Sequence, residues 1–424
     1  MAKQGNITKL GKDKFRVRIH LGTDSTGKRR DWTKVVNGEH KDAVNVLSEK
    51  LLELNKTGEI SEPSKQPLSE YLEEWKKSTL ITRVRAKTYE SYCFNLDQYV
   101  IPEMGDTPIS GLRPERIQRL YNDMLHSKNL SAQTVRYTHT VLRNALQQAV
   151  KWKKIDHNPC DLVDLPKRTK TEQKAMTQEQ ARAVLKAAEG IRYKVLFELL
   201  ILTGLRPGEA YGLKWQDIDL NAGTLSVRRA LSRTEYGAVW ELTEPKTSKS
   251  RRSMPIPKGL VDSLKRQKAQ NAADKMAAQV EAERIRQEVA KGERDEATAE
   301  AYLEQIKYHE HNLVFPSLNG NPLDHTNVAK GFKRVLKAAE AQAIEVAKEA
   351  GTYDATQPEK YQYSFRFYDM RHTCATLLLQ AGINPKVVAE RLGHASITLT
   401  LDTYSHCLPD MQGEATDKLS AMIY

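Results

Sequence analysis

Between Phe15 and His20 apolar and polar residues alternate, with Phe15, Val17 and Ile19 set against Arg16, Arg18 and His20. A period of two predicts a strand with one apolar and one basic face. Asp24 to Lys28 (DSTGK) has the composition of a turn, and Arg29 to Val36 reads as a second strand. From His40 to Asn55 the spacing becomes helical, with Ala43, Val46, Leu47, Leu51, Leu52 and Leu54 forming one apolar stripe. Residues 1 to about 60 thus predict a small sheet capped by one helix.

The stretch SEPSKQP at 61–67 has linker composition, and helical patterns follow it: Leu68 to Trp75, Lys87 to Val100, Arg113 to His126 and Ser131 to Val150, with Ser131 as N-cap. A basic tract, Pro166 to Thr171, marks a second linker. Beyond it Thr177 caps a helix through Ala188, and Tyr193 to Leu202 forms an apolar, buried one. Thr224 to Val227, Ala238 to Leu242 and Ser253 to Ile256 read as strands of a small sheet. Residues 265–310 are rich in Ala, Glu, Gln, Lys and Arg, which predicts a long charged helix or a helix pair with a solvated surface. The expected fold class is multidomain and mainly α with small β-sheets.

Charge adds a partner to this picture. Lys and Arg total 66 against 54 Asp and Glu, a net charge of +12. Such an excess favours a polyanion, nucleic acid before an anionic membrane surface. Arg16 and Arg18 on an open strand face suit a β-ribbon in a DNA groove, or else simply solvate that face. No apolar run approaches the roughly 20 residues of a membrane span, and the opening MAKQGNITKLGK lacks the apolar core of a signal peptide. Cys93, Cys160, Cys374 and Cys407 are scattered without metal-ligand spacing, so reduced thiols, no structural metal and a cytoplasmic location are expected.

Candidate chemistry gathers in two places. In TGLRPGE (Thr203 to Glu209), Gly204 allows a tight turn and Pro207 suits the first turn of a helix. Arg206 then stands at a helix N-terminus, either converging with backbone N–H groups on an anion or pairing with Glu209. The second place runs from Phe367 to Tyr404 and holds YDMRHT (Tyr368 to Thr373), the turn GINP, the Gly393-His394 pair and DTYSH (Asp402 to His406). The segment Pro385 to Ser396 also fits a helix-turn-helix DNA reader.

Taken together, TGLRPGE, PKTSKSRR, YDMRHTCAT, ERLGHAS and LDTYSH stand in the order found in tyrosine recombinases of the phage integrase family, which this chain resembles over essentially its whole length. The resemblance implies an arm-type DNA-binding domain at 1–60, a helical SAM-like core-binding domain at 68–160 and a mixed, mostly helical catalytic domain at 175–424. It implies a recombinase that cleaves and rejoins double-stranded DNA at specific sites, as a homotetramer on DNA, with a directionality factor as a further partner. It places the two active-site arginines on Arg206 and Arg371, the hairpin lysine on Lys246, the C-terminal histidine on His394 and the nucleophile on Tyr404. Glu209 falls on an acidic position that supports the first arginine, and residues 405–424 on a tail that reaches a neighbouring protomer, with Leu419, Met422 and Ile423 as its apolar face.

These groups suit transesterification at a phosphodiester. Two arginines offer forked, permanently charged donors to the equatorial oxygens of a five-coordinate transition state. The resemblance gives Lys246 the role of protonating the departing 5′ oxygen, and Lys249, Arg251 and Arg252 either compete for that role or grip the DNA backbone. A 3′-phosphotyrosyl link stores the bond energy, so neither ATP nor a metal cofactor is expected. One position departs from the family: the residue three before the second arginine is usually histidine and here is Tyr368. A phenol is a poor base at neutral pH, which leaves the general base open and Tyr368 as a hydrogen-bonder on the phosphate side or in the fold. His372, turned by about 100° from Arg371 on a helix, is expected to pack or to hydrogen-bond the fold. A type IB topoisomerase would share the active site without the N-terminal domains, and a DNA-binding regulator without catalysis would account for Tyr368.

Overall fold

The computed structural model describes residues 5–23, 27–57, 60, 64–168, 173–234, 239–244, 250–404, 416 and 419–423. The chain divides into two compact units, Met1–Thr169 and Lys170–Tyr424.

The first unit opens with an antiparallel sheet, β1 (Gly5–Gly11), β2 (Lys14–Thr23) and β3 (Arg29–Asn37), with β2 in the centre. Phe15, Val17 and Ile19 turn inward with Trp32 and meet Ala43 and Leu54 of α1 (His40–Thr57). The opposite face carries Arg16, paired across to Thr8 and Val35, and Arg18, paired to Asn6 and Thr33. β1 has no alternation strong enough to be recognised in sequence, since its residues are mostly exposed.

The helical part of this unit has its own core, including Leu72, Trp75, Leu96, Val100, Leu120 and Leu142. α2 (Leu68–Trp75) passes through a π-helical turn, Lys76–Leu80, into α3 (Ile81–Arg83). α4 (Ala86–Asn95) does the same through Leu96–Val100 into α5 (Ile101–Met104). The amino group of Lys76, on the first π turn, bonds Glu73 at 2.7 Å and Asp97 of the second, so the two irregular turns are tied together. α6 (Pro114–His126) and α7 (Ala132–Lys151) complete the bundle, and the Ser131 hydroxyl caps α7 by accepting from the Thr134 N–H at 3.1 Å.

The second unit begins with α8 (Gln178–Ala187), capped by Thr177 in a capping box, followed by α9 (Lys194–Thr203) and the short α10 (Pro207–Tyr211). Five strands follow: β4 (Ile218–Asp219), β5 (Thr224–Val227), β6 (Ala230–Thr234), β7 (Val239–Thr243) and β8 (Arg252–Pro255). The single small sheet expected from sequence is instead two, one ordered β4-β5-β8 and one the hairpin β6-β7. The charged stretch is a helix pair, α11 (Lys258–Ala290) and α12 (Glu296–Ile306), starting earlier than composition suggested because Leu260, Val261 and Leu264 are buried. α13 (His325–Glu349), α14 (Asp369–Gln380), α15 (Pro385–Leu392) and α16 (Ile397–Tyr404) close the unit. Its core includes Phe197, Leu200, Phe332, Val335, Phe367 and Met370. Among the described residues no helix is long and apolar enough to cross a membrane.

Candidate active site

α9 ends where Gly204 takes a left-handed conformation, φ 66°. A Cβ at that position would lie 2.5 Å from Leu392 Cδ2, so glycine is required for space as well as for conformation. The turn aims the Gly204 carbonyl at Arg371, whose Nη1 donates to it at 2.6 Å. Two residues on, Arg206 precedes α10: its backbone N–H donates to Glu209 Oε2 at 2.9 Å and its Nη1 to Glu209 Oε1 at 2.8 Å.

A second helix end completes the arrangement. α15 stops at Gly393, φ 68°, in a Schellman ending: the N–H of Gly393 bonds Glu390 O at 3.0 Å and that of His394 bonds Ala389 O at 3.0 Å. The last carbonyls of a helix have no partner within it and carry the negative end of its dipole. Here three successive carbonyls each receive a different arginine. Arg252 Nε donates to Arg391 O at 2.6 Å, Arg371 Nη2 to Leu392 O at 2.7 Å and Arg206 Nη2 to Gly393 O at 3.2 Å.

The electrostatics follow from this crowding. Burial pushes the Glu209 carboxyl up, but the bond and charge of Arg252, with Arg206, hold it below the ordinary glutamate value. Burial, with Arg206 beside it, lowers Arg371 to about 10, which leaves it protonated at neutral pH. His394, whose Nδ1 lies 2.7 Å from Thr400 Oγ1, is pushed down to about 4 by burial and then by Arg371, Arg206 and Arg252. Three guanidinium groups thus surround a neutral imidazole, with Glu209 shared between two of them. That excess of positive charge suits a phosphodiester.

Tyr404 ends α16 with its ring buried among Ala375, Leu379, Val388 and Leu392. Its hydroxyl lies 2.6 Å from His372 Nδ1. Tyr368, at the start of α14, sets its ring edge-on against His372 with centroids 5.4 Å apart.

A profile of the phage integrase family matches residues 174–410, more than half of the chain. The chain belongs to the phage integrase family. The N-terminal SAM-like domain of phage integrases matches residues 68–125. This integrase is 27% identical to a XerC-like tyrosine recombinase of Caldanaerobacter subterraneus subsp. tengcongensis, over 99% of both chains. Its fold resembles that of the Tn1549 transposon integrase in complex with a circular intermediate DNA (TM-score 0.58, 20% identity, 84% of this chain and 99% of that one). It also resembles a lambda integrase tetramer bound to a Holliday junction (TM-score 0.52, 17% identity, 96% and 95%). Tyrosine recombinases of this family catalyse site-specific DNA recombination, and this integrase is an enzyme of that class.

The fold brings Arg206, Glu209, Arg371 and His394 of the integrase together, with Tyr404 and His372 joined beside them. Lys246 and Lys249 lie outside the described residues. Arg251 is exposed and pairs with Glu244 at 2.5 Å. Arg252, expected to grip DNA or compete with Lys246, is instead enclosed, its guanidinium held by Glu209 and by the Arg391 carbonyl. His372 does hydrogen-bond, as sequence suggested, but its partner is the candidate nucleophile. The signal was present: residues 368 and 372 are four apart and share one face of a helix.

Proposed function

We propose that this integrase is the recombinase of a mobile element. It cuts double-stranded DNA at specific sites by attack of Tyr404, forms a 3′-phosphotyrosyl link, and rejoins the strand to a new partner. The observation that carries this reading is the set of three arginines on successive carbonyls at the end of α15, immediately before His394. In this reading Arg206 and Arg371 stabilise the charge that develops on the phosphate oxygens, and the neutral His394 adds a hydrogen bond. Lys246 supplies the proton to the leaving 5′ oxygen. Glu209 and Arg252 hold Arg206 in place. Strand transfer then needs no further reactant, since the bond energy stays in the tyrosyl link.

Residues 1–60 serve as the arm-type domain, with Arg16 and Arg18 on the open sheet face, and 68–160 as the core-binding domain within a chain whose catalytic part spans 175–424. Four copies act together on DNA, a reading supported by the tetrameric lambda neighbour. The exposed Leu419, Met422 and Ile423 suit a tail that packs on a neighbouring protomer, and deletion of 413–424 should then impair synaptic assembly. A directionality factor sets insertion against excision, and the work takes place in the cytoplasm, where the DNA is.

The decisive experiment uses nicked duplexes tiled across the DNA flanking its own gene, incubated in chelator and quenched with detergent. A nick lets the short cleaved strand diffuse away and traps the intermediate. A DNA-linked protein band that Tyr404→Phe abolishes is the expected result. Specific binding with no such band would overturn the reading in favour of a DNA-binding regulator.

A further inference from the structure

Tyr368 occupies the position where the family usually carries a histidine, and it lies on the same helix face as His372, one turn further along α14. His372 is 8% exposed, and its Nδ1 is 2.6 Å from the Tyr404 hydroxyl. The neighbouring Arg371 points the other way, to the Gly204 and Leu392 carbonyls. We propose that His372 is a catalytic residue of this recombinase, the general base that takes the proton of Tyr404. This inference rests on the recombinase reading above.

The Tyr404 O–H bond breaks and its proton passes to His372 Nδ1 while the phenolic oxygen forms a bond to phosphorus. The P–O5′ bond breaks, and the departing 5′ oxygen takes a proton from the acid assigned to Lys246. On religation the 5′ hydroxyl gives its proton back to the group that supplied it, assigned to Lys246, and bonds to phosphorus. The bond from phosphorus to the Tyr404 oxygen breaks, and protonated His372 returns its proton to the leaving phenolate. One group serves as base in cleavage and acid in rejoining, as reversibility requires.

The surroundings suit that task. Burial lowers His372 below the ordinary histidine value, so its lone pair is available at neutral pH. On its own segment Asp369 opposes that shift and Arg366 and Arg371 add to it. From α16 it faces Tyr404, the Tyr368 ring packs edge-on to it, and His394 is the nearby imidazole from the end of α15. Tyr368, 41% exposed, shields the imidazole and leaves the proton transfer to it.

The test measures covalent-adduct formation on the nicked duplexes that trap the wild-type full-length enzyme. His372→Gln, which keeps a hydrogen-bonding side chain but no base, should slow the adduct by about 10²–10⁴-fold with DNA binding retained. Its rate should climb with pH across the range where the wild-type rate has levelled off. Added imidazole should restore part of the rate in His372→Ala. A 5′-phosphorothiolate substrate, which needs no acid for its leaving group, should rescue Lys246→Ala but not His372→Gln. Full-rate, pH-independent cleavage by His372→Gln overturns the inference while the recombinase reading stands. A rate loss that the thiolate repairs, or that no pH or imidazole relieves, also overturns it, because His372 would then be holding structure. Absence of any wild-type adduct would remove the recombinase reading and this inference together.

Discussion

Arg252 holds Glu209 at two points, Nη2 to Oε2 at 3.0 Å and Nη1 to Oε1 at 3.3 Å, while the same carboxylate accepts from Arg206. Arg252 begins β8, directly after the segment that carries Lys246, and Glu209 lies in α10. One buried carboxylate therefore connects the start of β8 to Arg206.

Removing one partner of a buried pair leaves an uncompensated charge and costs about 3–5 kcal/mol. Glu209→Ala and Arg252→Ala should each lose stability of that order in urea unfolding. The double variant should lose less than the sum, because the two changes remove one interaction. Simple additivity would show that the contact contributes nothing specific.

Gly393→Ala should damage the site more than its size suggests. A left-handed φ costs an L-residue about 1–2 kcal/mol, and the new Cβ would lie 2.9 Å from Arg252 Nη1. Cleavage should fall with Arg206 and Arg252 displaced together. An unchanged cleavage rate in the trapping assay would contradict this.

His394 gives a pH signature. Its folded value of about 4 lies below the ordinary 6.5, so the unfolded chain takes up a proton first as pH falls. The stability it contributes is complete above pH 6.5 and is lost progressively toward pH 4. His372, lowered by burial, acts in the same direction. Histidine-labelled NMR should report a neutral His394 at pH 6, and orthovanadate, as a phosphate mimic among the arginines, should raise its value. A titration near 6.5 that vanadate does not move would refute the crowded-arginine account.

Arg16→Ala and Arg18→Ala should weaken binding to arm-type DNA and reduce the slope of log affinity against log salt by about one each if both contact phosphates. Cleavage of a short duplex carrying only the core site should be unaffected. Arg18 stands 4.0 Å from Asp31, so its effect should be the smaller. Equal losses on arm and core DNA would assign these residues to folding.

Much of the N-terminal sheet was legible because Phe15, Val17 and Ile19 alternate strictly, and alternation maps directly onto one buried face. The helical bundle was legible for the same reason at helical spacing, but its π turns were not. Each inserts a residue into a helix whose apolar pattern continues across it, so only the folded structure, where Lys76 of one turn meets Asp97 of the other, reveals them. The division into two small sheets was hidden because strand pairing is a long-range choice: β5 pairs with β8 past an intervening hairpin. Arg252 read as one more basic residue in a basic loop, since its inward direction depends on where Glu209 arrives.

By itself the sequence determined the residue types and their order: an arginine after a glycine turn, a second arginine, a Gly-His pair and then Tyr404. Residue chemistry and local backbone preference are properties of short stretches, so a linear reading can recover them. Only the tertiary structure decided which donor meets which acceptor. Arg206, Arg252 and Arg371 lie far apart in the chain, and they meet because the end of α15 offers three adjacent carbonyls without partners. The pairing of His372 with Tyr404 was decided in the same way, by packing α16 against α14, since a hydrogen bond depends on distance and direction in space and sequence separation constrains neither.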